Sequence, residues 1–201
     1  MRGRIFVALA SLAFSAAAQA DEMLSTSVEW QAEHATPRLK ASYRTFTIAG
    51  LDETPVRLQG VQLDAYAVSE RWLRVGFELE GGTGSAGWAL ASATLGYGLV
   101  GLTVGVQYPA RVTPFVEGRF FAGVLAGVLD GTDEAAATWL YGGGVEAGVE
   151  VYLHGRTYLS AAVGWMRSSW RGVDVNESTA GNLVYTDLVA DSFTVKVGIG
   201  F

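Results

Sequence analysis

Apolar and polar residues alternate along much of this chain, and the last nine residues, FTVKVGIGF (193–201), show the pattern most clearly. Every odd position there is apolar, from Phe193 to Phe201, while the even positions hold Thr, Lys and Gly. Because successive side chains of a strand point to opposite sides, a period of two collects all the apolar residues on one face. We therefore predict a β-strand with one apolar and one polar face.

The same period recurs in other segments of the chain. Strands one and two are predicted in LKASYRTFTIA and LQGVQLDAYAV, whose apolar faces are weaker. Together the segments predict eight strands, the first at about 38–49 and the last at about 190–201. The clearest are WLRVGFELE (72–80), LVGLTVGVQY (99–108), WLYGGGVEAGVEVYL (139–153) and TYLSAAVGWM (157–166).

The predicted connections are of two kinds. Three are tight turns, at 69–71, 109–111 and 154–156, and four are longer stretches, at about 50–56, 81–92, 128–137 and 171–190. Short connections at one end and long ones at the other are typical of outer-membrane barrels, which have short periplasmic turns and long external loops. The fold predicted for residues 38–201 is therefore all-β, an eight-stranded antiparallel up-and-down transmembrane β-barrel.

The first 37 residues have a different character. Residues 1–20 run from a basic MRGR through an apolar segment to AQA, the pattern of a secretory signal peptide with cleavage after Ala20. The apolar segment is shorter than the roughly 20 residues that a spanning helix needs. Residues 21–37 are predicted to be an N-terminal periplasmic segment, although LSTSVEW within them could form an extra strand.

Charge and cysteine content exclude several classes of function. Cleavage after Ala20 removes Arg2 and Arg4, which leaves 12 basic and 20 acidic residues and a net charge of −8. A chain this acidic is a poor candidate for binding nucleic acid. The chain has no cysteine, so it can form neither a disulfide scaffold nor a thiolate metal site.

The face opposite Phe201 carries the charges of the predicted strands. An eight-stranded barrel is just wide enough for its side chains to fill it, and charges held there are tolerable only when paired. We predict an ionic network in the lumen; a general-acid pair or a cation path through Glu117, Glu146 and Glu150 is the alternative. The inward charges are Lys40, Arg44, Arg74, Arg119 and Lys196 against Asp64, Glu78, Glu80, Glu117, Glu146 and Glu150, and all but Lys40 and Glu80 form the predicted network.

Aromatic residues of the apolar face gather near the strand ends. Such girdles mark bilayer interfaces, where an amphipathic ring is half hydrated. The predicted girdle comprises Trp139, Tyr141, Trp165 and Phe193 on the outer side, with Tyr108 and Phe201 on the inner side.

FTVKVGIGF resembles the C-terminal signal of Gram-negative outer-membrane barrels, which the barrel-assembly machinery reads. From about residue 38 the chain is similar to the small eight-stranded group that includes the OmpA membrane domain, OmpX and the surface-antigen barrels. This resemblance implies a monomer in the bacterial outer membrane, with outer-membrane lipid, lipopolysaccharide and the assembly machinery as partners. The residues that would carry the assembly signal are Phe193, Val195, Val197, Ile199 and Phe201.

Other motifs indicate no cofactor or metal. GTGSAG (82–87) satisfies G-x-G-x-x-G, but no convincing helix follows it, so an external loop is predicted. DGTDE (130–134) and DVNES (174–178) lack calcium-loop spacing and indicate solvated acidic loops.

We predict that the chain is not an enzyme, because no histidine is placed to activate a hydroxyl. His34 precedes the first strand and His154 lies in an inner turn, whereas Ser168 and Ser169 lie near the outer rim. The predicted function is envelope structure or surface interaction through the external loops. A narrow channel for small solutes or ions and an outer-leaflet lipid-modifying enzyme are the alternatives.

Overall fold

The computed structural model describes residues 38–49, 55–69, 72–88, 91–108, 110–129, 135–154, 156–173 and 185–201. Within them, no helix is long and apolar enough to cross a membrane. The strands are β1 (Arg38–Ala49), β2 (Pro55–Ser69), β3 (Leu73–Trp88), β4 (Ala91–Gln107), β5 (Val112–Leu129), β6 (Ala135–His154), β7 (Thr157–Val173) and β8 (Tyr185–Gly200).

The eight strands form one closed sheet. Each strand pairs antiparallel with its neighbours in sequence, and β8 returns to pair with β1. Closure leaves neither β1 nor β8 as the free edge of an open sheet. This confirms the predicted eight-stranded antiparallel barrel.

The connections at one end of the barrel are all short, whereas those at the other end range from residues 89–90 between β3 and β4 to residues 174–184 between β7 and β8. At the end we call the turn end, three short connections join β2 to β3, β4 to β5 and β6 to β7. Arg38 and Phe201 also lie there, and Leu39 and Phe201 exchange two backbone hydrogen bonds of 2.9 Å. The opposite end, from which β1 leaves at Ala49, is called the loop end.

The seam between β1 and β8 is short. Its paired residues run from Lys40 with Gly200 to Thr45 with Val195, six pairs in all. Closer to the loop end, the Trp170 indole Nε1 of β7 donates a 2.7 Å hydrogen bond to the Ala49 carbonyl of β1. A side chain of the next strand therefore helps to fasten the seam where the β1–β8 ladder has ended.

The prediction of a long loop at 81–92 is wrong, and GTGSAG (82–87) lies inside β3, paired residue by residue with β4. The glycines there serve close packing. A Cβ on Gly82 would overlap the backbone of Gln59 and Gly60, and one on Gly84 would overlap the Leu58 side chain. This part of the strand is rich in glycine because its inward positions have no room for larger residues.

The strands also extend further into two of the other three predicted long loops. β5 runs to Leu129 and β6 begins at Ala135, while β7 runs to Val173 and β8 begins at Tyr185. The predicted signal peptide at 1–20, the segment 21–37, His34 and the acidic motifs DGTDE and DVNES lie outside the described residues.

Candidate functional site: the filled lumen

Among the residues that the structure describes, twelve charged side chains are buried inside the barrel, and their charges balance. All eleven inward charges named from the sequence lie there, and Arg38 is the twelfth. The alternation does not single out Arg38 because it is the first residue of its strand. The six basic residues are Arg38, Lys40, Arg44, Arg74, Arg119 and Lys196, and the six acidic residues are Asp64, Glu78, Glu80, Glu117, Glu146 and Glu150.

Arg38 begins the network at the turn end. Its Nη1 lies 3.1 Å from Glu150 Oε2, and the same nitrogen donates to the Tyr152 hydroxyl. Its Nη2 donates a 3.0 Å hydrogen bond to Gln107 Oε1. The guanidinium also lies 6.0 Å from the ring centre of Tyr158, within range of a cation–π contact.

Arg74 continues the network toward the middle of the barrel. Its Nη2 lies 2.9 Å from Glu150 Oε1, and its Nε lies 3.2 Å from Glu117 Oε2. The guanidinium is 4.3 Å from the ring centres of both Tyr66 and Phe115. Glu150 thus joins Arg38 to Arg74, and the two rings replace part of the hydration that burial removes from the guanidinium.

Lys196 links this part to the next. Its Nζ lies 3.4 Å from Glu117 Oε1 and 2.6 Å from Glu146 Oε2. The other oxygen of Glu146 lies 2.9 Å from Arg44 Nη2 and 3.6 Å from Arg119 Nη1. Glu146 therefore contacts three cationic side chains, the largest number for any carboxylate of the network.

Two further glutamates complete the network on the side of the loop end. Arg44 Nη1 lies 3.3 Å and Arg119 Nη2 lies 3.1 Å from Glu80 Oε2, while Tyr97 donates a 2.9 Å hydrogen bond to Glu80 Oε1. Arg119 also pairs with Glu78. Positive and negative side chains thus alternate from Arg38 to Glu78.

Lys40 and Asp64 form a side branch, with 3.3 Å between Nζ and Oδ2. Lys40 donates to the Tyr66 hydroxyl at 3.0 Å, and Tyr66 donates to Glu117 at 3.3 Å. Gln62 connects the other side by donating to Asp64 at 2.5 Å and to Glu78 at 3.1 Å. The branch is therefore part of the same connected set.

These contacts favour a structural role for the three glutamates that could also form an acid pair or a cation path. Glu117 pairs with Arg74 and Lys196, Glu150 with two arginines, and Glu146 with three cations. Each buried carboxylate already has its counter-charges within the protein, which is the condition for burying an ion at acceptable cost.

Above the ionic network, the lumen is apolar at the loop end. The alternation contains this signal, because in the loop-end halves of several strands the inward positions are apolar too, as at Phe46 and Ile48. The sequence prediction missed it by following only the charges. This apolar plug consists of Phe46, Ile48, Val56, Leu58, Ala86, Tyr97, Leu99, Phe121, Leu125, Leu140 and Met166, with Leu95 and Trp170 packed against it.

The outer face carries the residues predicted to meet lipid. Trp139 and Tyr141 are exposed near the loop end, whereas Trp165 and Phe193, which pair with each other, are exposed midway along β7 and β8. At the turn end, Phe201 is exposed and Tyr108 is half-buried. Aliphatic residues fill the band between, and the assembly-signal positions Val195, Val197 and Ile199 belong to this exposed band.

The serines and the histidine considered for catalysis are not brought together. Ser168 is buried in the lumen near the loop end, and Ser169 points outward and donates a 3.4 Å hydrogen bond to the Tyr141 hydroxyl. His154 is the last residue of β6, at the turn end. Among the residues that the structure describes, no group of three or more histidines and carboxylates is placed to hold a metal ion.

Known proteins match this chain in structure and not in sequence. No protein-family model and no curated protein matches it. The crystal structure of neisserial surface protein A has a TM-score of 0.56 at 14% identity, over 82% of this chain and 95% of that one. Ail, the attachment invasion locus protein of Yersinia pestis, has a TM-score of 0.50 at 11% identity, over 82% and 97%. The chain thus has the eight-stranded barrel fold found in small bacterial outer-membrane proteins.

Proposed function

We propose that this chain is a barrel of the bacterial outer membrane that serves envelope structure or surface interaction through its loop-end connections, and that its lumen does not conduct. One observation carries the proposal: the lumen is filled by a charge-balanced ionic network and an apolar plug, while the outer face is apolar. The filled lumen argues against transport of solutes through the barrel, and the apolar outer face argues that lipid surrounds it.

The outer face supports a membrane location on physical grounds. Phe77, Phe120 and Trp139 are 69%, 74% and 68% exposed, and they belong to a band that surrounds the barrel. Removing apolar surface from water is favourable by about 25 cal/mol for each Å². A contiguous apolar surface of this kind would therefore cause aggregation in water. The strands, from 12 residues in β1 to 20 in β6, exceed the roughly 9–11 residues that a tilted strand needs to span a bilayer.

A narrow channel is the second candidate, and the apolar plug argues against it. An ion passing the lumen would have to leave the ionic network and cross a layer that includes Phe121, Leu140 and Leu58, each less than 5% exposed. Moving an unpaired ion into an apolar region carries a large desolvation penalty. The lipid-enzyme alternative has less support, because Ser168 and Ser169 lie toward the loop end whereas His154 lies at the turn end.

The loops would then carry recognition, and their composition favours some partners over others. Ail has been crystallised with the heparin analogue sucrose octasulfate, a polyanion. The connections of this chain hold Asp130, Asp133, Glu134, Asp174 and Glu177. We infer that its loops do not bind a polyanion and instead favour cationic partners or surfaces bridged by divalent cations.

Planar-bilayer conductance of the refolded mature protein tests the proposal, with folding verified by the gel mobility shift on heating. Wild type is expected to give no unitary steps. The double variant Leu58→Ala, Phe121→Ala thins the plug, and Leu63→Ala, Phe120→Ala removes matched side chains from the outer face of the same two strands. Steps in wild type would refute the closed lumen, and steps only in the plug variant would identify the plug as the barrier.

A further inference from the structure

The outer face has a depression where two glycines lie side by side on β3 and β4. A single row of paired residues runs from Tyr43 on β1 through Val61, Gly81, Gly98 and Val124 to Trp139 on β6. The row therefore has an aromatic residue at each end and two adjacent glycines in the middle. Gly81 of β3 and Gly98 of β4, which pair with each other, present no side chain to the outer face.

The missing side chains leave a groove with a volume of about 580 Å³. Its walls are aliphatic and include Val61, Leu63, Val100 and Val124. A Cβ added to Gly98 would meet no atom within 4 Å, so the space above this glycine is open. In a membrane, a groove of this shape and polarity is occupied by hydrocarbon rather than by water.

Polar residues border the groove on the side of the loop end. The next row pairs Thr45 with Gln59, Gln59 with Thr83 and Thr83 with Gly96. Beyond it, Arg57 points outward, and its Nε donates a 3.0 Å hydrogen bond to Thr45 Oγ1. This bond orients the guanidinium and leaves its two terminal nitrogens as donors for an anionic oxygen.

The distance from Arg57 to the groove matches the dimensions of one lipid molecule. Arg57 and Val61 are four residues apart on β2, or about 13 Å along the strand. Half of the hydrocarbon core of a bilayer is about 15 Å thick. A lipid with its phosphate at Arg57 would therefore place the middle of an acyl chain in the groove.

We propose that this groove is a specific site for the lipid A portion of lipopolysaccharide, with a phosphate on Arg57 and one acyl chain over Gly81 and Gly98. The inference rests on the proposed outer-membrane location. The row of hydroxyl and amide side chains at Thr45, Gln59 and Thr83 favours a sugar head group, rich in hydroxyls, over that of a phospholipid. The positive charge of Arg57 matches the phosphate.

Native mass spectrometry of the refolded protein in detergent micelles, titrated with lipid A, tests this site. Wild type is expected to retain one lipid A molecule. Gly98→Leu places a side chain in the groove and Arg57→Gln removes the charge, so each is expected to weaken retention about tenfold. Ala161→Leu and Arg167→Gln make the same changes on the outer face of β7 and are expected to leave retention unchanged.

Three other outcomes of this experiment would contradict the proposed lipid A site. No retention by wild type, or equal loss in all four variants, would show that the groove does not select a lipid. Phosphatidylglycerol retained as strongly as lipid A would show that the occupant is a phospholipid. The gel mobility shift separates these results from a failure of the proposed function, because a protein that forms no heat-modifiable barrel contradicts the membrane fold itself.

Discussion

At the scale of single residues, Glu146 is the carboxylate with the most ionic contacts in the lumen. Its two oxygens contact Lys196, Arg44 and Arg119, so it joins the turn-end and loop-end parts of the ionic network. Gly164, beside it on β7, has no room for a Cβ because the Val145 carbonyl and the Glu146 side chain occupy that space. Charge and shape therefore both depend on this residue.

Replacing Glu146 with Gln keeps its size but leaves three buried cations with less negative charge. We expect the free energy of unfolding to fall by about 3–5 kcal/mol, the usual cost of breaking a buried ion pair. Urea unfolding of the refolded barrel in lipid vesicles measures it.

Asp191→Asn is the matched control, because Asp191 forms an exposed pair with Arg167 at 4.0 Å. Such pairs contribute little, so we expect a loss below about 0.5 kcal/mol. Similar losses in the two variants would contradict the central role of Glu146.

At the scale of strands, the alternation of apolar and polar residues was sufficient to predict the outer face of the barrel and most of the charged residues in the lumen. It placed the eleven charges named from the sequence inside, because they alternate with apolar runs such as Val195, Val197 and Ile199. It did not predict the outward charges in the longer observed strands, such as Arg57 and Arg167. It could not recognise the loop-end half of β3, since glycine is equally common in loops and contributes no apolar signal. It could not show which carboxylate meets which cation, because the pairs join residues far apart in the chain, such as Arg38 and Glu150.

The glycines of β3 and β4 offer a test of this strand assignment. Gly82 faces inward against the backbone of β2, whereas Gly98 faces open space. We expect Gly82→Ala to destabilise the barrel by about 1–3 kcal/mol through overpacking. Gly98→Ala is expected to be neutral or to stabilise it by up to about 1 kcal/mol. Urea unfolding of both variants measures the difference, and equal effects would indicate that residues 81–88 are not held in the sheet.

At the scale of the whole molecule, the barrel separates two sets of interactions. Its inside is held by paired charges and the apolar plug, and its outside is left for lipid. Phe201 lies on the outer face: its backbone is hydrogen-bonded to that of Leu39, while its side chain is 59% exposed. The side chain therefore faces away from the lumen and takes no part in its packing.

Phe201→Ala consequently separates assembly from stability. We expect less folded barrel in the outer membrane of cells, whereas the purified variant refolds in vesicles with nearly wild-type stability. Phe120→Ala, which removes an outward phenylalanine from β5, is the control and is expected to leave assembly in cells unchanged. Heat-modifiable protein in membrane fractions measures assembly. Normal assembly of Phe201→Ala would remove Phe201 from the predicted signal.

The short seam has a consequence for the order of folding. β1 and β8 share six residue pairs, against sixteen between β3 and β4, yet this contact closes the longest stretch of chain in the barrel. Chain-closure entropy grows with the length closed, so the seam combines the largest entropic cost with the fewest bonds. We expect the other seven ladders to form an open, curled sheet first, and the rate of barrel formation to be set by the moment at which its two margins meet.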